Sequence, residues 1–70
     1  MSRYRITCLE GDQYDIIATS MDVTENWVKF FDYDLARDQI FIIAAIRATN
    51  INNIQIVNNH TGEAERIMAL

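Results

Sequence analysis

The sequence predicts an antiparallel all-β domain of five short strands, and three observations predict it. Apolar and polar residues alternate with a period of two along several segments. A half-buried strand requires that spacing, because successive side chains leave on opposite faces. β-branched and aromatic residues, which suit a pleated surface, crowd the same segments. Turn residues separate them: Gly11, the triplet TEN at 24–26, an acidic stretch over 32–38 and two asparagine clusters.

The first strand, 3–9, reads RYRITCL: Tyr4, Ile6 and Cys8 lie on one side and Arg3, Arg5 and Thr7 on the other. EGDQ turns the chain, with Gly11 free to take a positive φ. In the second strand, 13–23, Tyr14, Ile16 and Ala18 share one face, and Ile17, Thr19, Met21 and Val23 the other. A strand that changes its buried face along its length is strongly bent, as barrel strands are. The third strand, 27–33, places Trp27, Lys29, Phe31 and Tyr33 opposite Val28, Phe30 and Asp32. The fourth, 39–49, is apolar on both faces: Ile40, Ile42, Ala44 and Ile46 alternate with Phe41, Ile43 and Ala45. Both faces must therefore be covered. Either this strand sits at a bend shared by two sheets, or one face meets another subunit. TNINN makes one tight 3₁₀-like turn, and IQIV, 54–57, is the fifth strand. The tail, 61–70, has the marks of a short helix, with Thr61 as N-cap and Glu63 and Glu65 near the positive end of its dipole. A helix this short does not hold alone in water, so the tail docks, frays or becomes a sixth strand.

Size and composition bound the function. Seventy residues make one domain, 1–70, with a core worth only about 3–5 kcal/mol of net stability. Cys8 is the one cysteine, so an intrachain disulfide is excluded. Cys8 and His60 are too few for a zinc site. Packing against copies of itself remains as the supplement, which makes a homo-oligomer the expectation. The N-terminus carries two arginines and no apolar signal segment, and the longest apolar run, 40–46, is seven residues. That is far short of the ~20 a membrane helix needs. With a lone thiol, these features point to a cytoplasmic protein without a membrane partner. Ten acids against six scattered bases give a net charge of −4, which disfavours a phosphate backbone as partner.

The segment AAIRATNINNIQIV, 44–57, carries a resemblance. A long strand, a polar turn with one inward apolar residue (Ile51) and a short strand resemble the end of the SH3-like and Sm-like five-stranded small barrels. Small uncharacterised proteins of phages and mobile elements look similar. The resemblance covers 3–57 and implies a small barrel, or a strongly bent sheet. An Sm protein carries Arg-Gly where this chain has Arg47-Ala48, so no RNA-binding residues carry over.

The residues offered for binding are Trp27, Phe31, Asp32, Tyr33, Asp34 and Asp38. Exposed aromatics are the residues interfaces prefer, and the three carboxylates make an acidic patch for a protein with a basic surface. An EF-hand counted from Asp32 is excluded: alanine stands at 36, where an oxygen ligand belongs, arginine at 37, where its glycine belongs, and isoleucine at 43, the position of its closing glutamate. His60 is read as a loop histidine, since no nucleophile signature accompanies it. Cys8 is read as a small buried apolar residue. No phosphate-binding glycine loop exists, because Gly11 and Gly62 are the only glycines. The expected function is a non-enzymatic, self-associating protein-interaction module with no cofactor. One version is a phage-encoded inhibitor of a host defence complex, its carboxylates occupying a basic channel. The alternatives are an Sm-like nucleic-acid-binding ring, with Arg3, Arg5 and Arg47 converging, and a small-ligand-sequestering protein at a subunit interface.

Overall fold

A computed structural model describes residues 1–69. Its strands are β1 (Ser2–Cys8), β2 (Gln13–Ala18), β3 (Ser20–Val23), β4 (Trp27–Asp34), β5 (Gln39–Arg47), β6 (Ile51–Val57) and β7 (Ala64–Ala69), with a 3₁₀ turn over Ala48–Asn50. They form two antiparallel sheets, ordered β2-β1-β6-β7 and β3-β4-β5. The all-β antiparallel class stands as the patterning predicts. The barrel is not closed: each sheet keeps two open edges.

The expected bent strand over 13–23 is two strands belonging to different sheets. Thr19 is the joint, and its backbone N–H donates to Phe31 O at 2.9 Å. The bend moves the buried side of the chain from Ala18 in the first sheet to Met21, which packs on the core from the second. A second crossing runs through the 3₁₀ turn. Here the sequence boundaries shift: β5 ends at Arg47, before 49, and β6 starts at Ile51, before 54. Ile51 is the inward apolar residue expected there and is fully buried.

The tail departs most from expectation. Residues 64–69 pair antiparallel with β6, Val57 opposite Ala64 and Ile56 opposite Glu65, instead of forming a helix. The reason is the open edge of β6. β1 occupies only one edge of β6, and pairing satisfies the tail's backbone groups, which a short isolated helix does only at a high nucleation cost. Thr61 caps no helix; its Oγ1 accepts from Glu63 N at 3.2 Å within the turn between β6 and β7. Residue 70 lies outside the described residues.

The core lies between the sheets. Tyr4, Ile6, Ala18, Ile51 and Ile54 face Val28 and Phe30. The Tyr4 and Phe30 rings meet at 5.4 Å between centroids, tilted by 58°, within the range that aromatic pairs favour. Cys8 is half-buried and not fully enclosed, though it packs on the same cluster.

Adjacent residues of β4 should therefore behave as opposites. Phe30→Ala empties the centre of the core and is expected to cost about 3–5 kcal/mol, as buried Phe truncations do, leaving the domain largely unfolded. Phe31→Ser removes a cross-strand contact worth about 1 kcal/mol or less and leaves it folded. Urea unfolding followed by circular dichroism checks both.

Candidate interaction face

β4 begins the site, and its alternation decides what the site contains. With Val28 and Phe30 fully buried, Trp27, Lys29, Phe31 and Tyr33 must leave on the outer side of the sheet. The neighbouring strand alone would not match them. Phe30 pairs with Ala44, but Phe31 pairs with Ile42, so Ile43 is an extra residue on β5. Such a bulge shifts the phase of the strand that contains it. On one side of it Ala44 and Ile46 face the core; on the other, Ile42 and Ile40 face outward beside Phe31 and Tyr33. Which isoleucines turn to the core and which turn outward follows from this single irregularity.

The result is a largely apolar surface on the outside of the β3-β4-β5 sheet, interrupted by Lys29 between Trp27 and Phe31. Ile40 is 70% exposed and Ile42 53%, with Tyr33 at 39% and Trp27 at 37%. Phe31 is half-buried between them. Thr19, Ser20, Phe31, Asp32, Tyr33 and Ile40 line a shallow depression of about 150 Å³. At the far end of the face, the Arg47 guanidinium lies 5.3 Å from the centroid of the Trp27 ring, close enough for a cation–π contact.

The acidic stretch is a four-residue turn, 35–38, between β4 and β5. Its carboxylates are wired into the backbone. Asp34 Oδ1 accepts from Ala36 N at 3.0 Å and from Arg37 N at 3.3 Å. Asp32 Oδ1 accepts from Thr19 Oγ1 at 2.7 Å and from Tyr33 N at 2.8 Å. Asp38 takes a positive φ of 52°, a conformation aspartate tolerates, and accepts from the Tyr33 hydroxyl. Alternation divides the six expected residues. Trp27, Phe31 and Tyr33 share the outer face, joined by Asp38 through Tyr33. Asp32 and Asp34 lie on the opposite side of β4.

Two contributors escape a reading by period two. Ile40 and Ile42 are on the face only because of the bulge, and no glycine, proline or polar residue marks Ile43 as its site. Arg47 joins through its reach over Trp27. The remaining candidates lie elsewhere. His60 is in the exposed β6–β7 turn, where its N–H donates to Asn58 Oδ1 at 2.8 Å. Among the described residues, no three His, Cys, Asp or Glu side chains gather as a metal would require, and no helix is long and apolar enough to cross a membrane.

Arg3 and Arg5 stand on the other sheet, and both are engaged by Asp15 of β2. Arg3 approaches Asp15 Oδ2 at 2.7 Å and Arg5 Nε donates to Oδ1 at 3.0 Å. The hydrogen bond from Arg5, helped by Arg3, holds the Asp15 carboxyl below its ordinary 3.8 against the opposing effect of partial burial.

No protein-family model matches this chain, and no curated protein or solved structure is significantly similar to it.

The Asp15 cluster sets an acid sensitivity. A carboxylate whose pKa is depressed by folding contributes stability that is complete above its unfolded value, near 3.8, and is lost as the pH falls through the lower folded value. Wild type should lose melting temperature below that pH more steeply than Asp15→Asn. Melts from pH 7 to pH 2 check this; identical slopes would contradict it.

Proposed function

We propose that this chain is a non-enzymatic protein-interaction module that self-associates and binds a protein partner through the outer face of its β3-β4-β5 sheet. The observation that carries the reading is the exposed apolar surface of Tyr33, Ile40 and Ile42 around the half-buried Phe31, with the exposed Trp27 beyond Lys29 on the same face. A small domain with a marginal core gains nothing for its own folding from apolar side chains left in water. Contiguous patches of this kind mark association sites, while scattered exposed apolar residues do not. Aromatic side chains at its centre add the large, rigid anchors on which interface energies concentrate. The acidic turn at one end, with Asp34 and Asp38, favours a partner that brings basic residues to that rim and would steer its approach.

The finer fold reading belongs to the same proposal. Two strand-to-strand crossings, at Thr19 and at the 3₁₀ turn, carry the chain between sheets in the way an open SH3-like or Sm-like barrel requires. β7 is then an addition to that frame. Architecture of this kind serves many functions, so the exposed face carries the argument.

A nucleic-acid reading needs free, clustered bases. The pairing of Arg3 and Arg5 with Asp15 weighs against it, as does the position of Arg47 on the other sheet.

Site-specific photo-crosslinking tests the proposal. A photoreactive phenylalanine analogue replaces Phe31 or Ile40 on the face, or Ile17 of β2 as a control on the other sheet. Covalent adducts are expected at 31 and 40 in cells of the native source, and few at 17. Equal yields at all three positions would refute a specific face.

A further inference from the structure

We propose that the free edge of β5 is the contact between two copies of this chain, paired antiparallel about a two-fold axis that passes between Ile43 and Ala44. The proposal rests on the reading of the β3-β4-β5 sheet as an association surface and assigns the self-associating part of it to one edge.

Three observations lead there. The first is the edge itself. β5 ends its sheet, with β4 on one side and, among the described residues, no strand on the other, so a row of backbone donors and acceptors faces outward. Natural sheets blunt such edges with charges, prolines, very short strands or bulges, and over 40–46 β5 has only the bulge at Ile43. The other edges carry charge: β2 has Asp15, β3 has four residues including Asp22, and β7 has Glu65 and Arg66. β5 has nine residues, and its central seven, 40–46, contain no charge and no proline.

The second is phase. Pairs across an antiparallel ladder must leave on the same face. The bulge sets Ile40, Ile42, Ala45 and Arg47 outward and Phe41, Ala44 and Ile46 inward. An axis between Ile43 and Ala44 opposes Ile40 to Arg47 of the second copy, Ile42 to Ala45 and Phe41 to Ile46. Outward residues then meet outward ones and inward meet inward. Shifting the pairing by one residue sets every outward side chain against an inward one.

The third is charge. An acid, Asp38, immediately precedes the strand, and a base, Arg47, ends it. Antiparallel pairing places each Arg47 diagonal to Asp38 of the other copy, within reach of long side chains. Parallel pairing would set arginine against arginine and acid against acid. Arg47 has no ion pair among the described residues, so its donors are free beyond the contact with Trp27. The arrangement closes on itself as an isologous dimer, which stops the edge from templating an open fibre. It joins two three-stranded sheets into six strands and leaves the aromatic outer face available to the protein partner.

A charge swap tests the pairing, read by analytical ultracentrifugation. Wild type is expected to dimerise. Arg47→Glu and Asp38→Lys should each raise the dimer Kd by about tenfold or more, and the double variant should recover to within about threefold of wild type, since the swapped charges again oppose. Circular dichroism verifies that each variant is folded. A second readout uses wild type alone: amide exchange in β5 should slow as concentration rises, while exchange in β2 and β7 stays constant. Wild type that remains monomeric at about 100 µM, far above the range of a stable dimer, overturns the proposal. So does a double variant no tighter than the singles, or a mass that grows past the dimer. Monomeric wild type that still crosslinks a foreign protein through position 31 overturns the edge pairing and leaves the face standing. Loss of both results removes both.

Discussion

Phe30 against Tyr4 is the contact on which the rest of the molecule depends. It is an aromatic pair across the two sheets, at the centre of a core whose other members are aliphatic. Burying Phe30 fixes the phase of β4, and a strand has only two phases. Once Phe30 and Val28 are inside, Trp27, Phe31 and Tyr33 are outside. The same choice forces a solution on β5, whose residues must pair with both kinds of position. The bulge at Ile43 is that solution, giving the core Ala44 and Ile46 and the outer face Ile40 and Ile42.

What the domain gives up in this arrangement is a polar exterior on one sheet. The first sheet is conventional: Arg3, Arg5 and Asp15 form an exposed ion cluster over the outer side of β1 and β2. The second sheet gathers isoleucines and aromatics on its outer face, whereas the first exposes Tyr14, Ile17, Ile56 and Ile67 among charged side chains. A protein of this size has little stability to spare, which is the ground on which association is proposed to cover those exposed side chains. Exposed face and open edge meet on one sheet because β5 supplies the edge and, with Ile40 and Ile42, completes the face begun by β4.

Much of this was legible in the sequence, and the failures are instructive. Period two in WVKFF separated Phe30 from its aromatic neighbours, because a regular strand leaves no freedom in which side a residue takes. The change of buried face along 13–23 showed that the chain bends there, and Thr19 is that bend. The apolar run 40–46 showed that β5 needs two covers. Which isoleucines take which face did not show, because a bulge made by an isoleucine among isoleucines carries no compositional mark. The tail misled for a different reason. EAERIMAL satisfies local helix rules, yet the vacant edge of β6 is non-local and outweighs them. The acidic turn was recognisable as a turn. Its division, with Asp38 joined to Tyr33 and Asp32 and Asp34 on the other side, depends on backbone geometry that composition does not specify.

The central claim is that adjacent aromatics of β4 serve opposite purposes, one holding the fold and the others offered to a partner. Hydroxyl-radical footprinting across a concentration series measures this most directly, because it reports the solvent exposure of each aromatic separately. Phe30 should stay protected at every concentration. Trp27, Phe31 and Tyr33 should react readily in the dilute protein and lose reactivity when a crosslinked partner is purified with it. Phe31 and Phe30 protected alike in the dilute protein would contradict the account, because the outer face would then be part of the core.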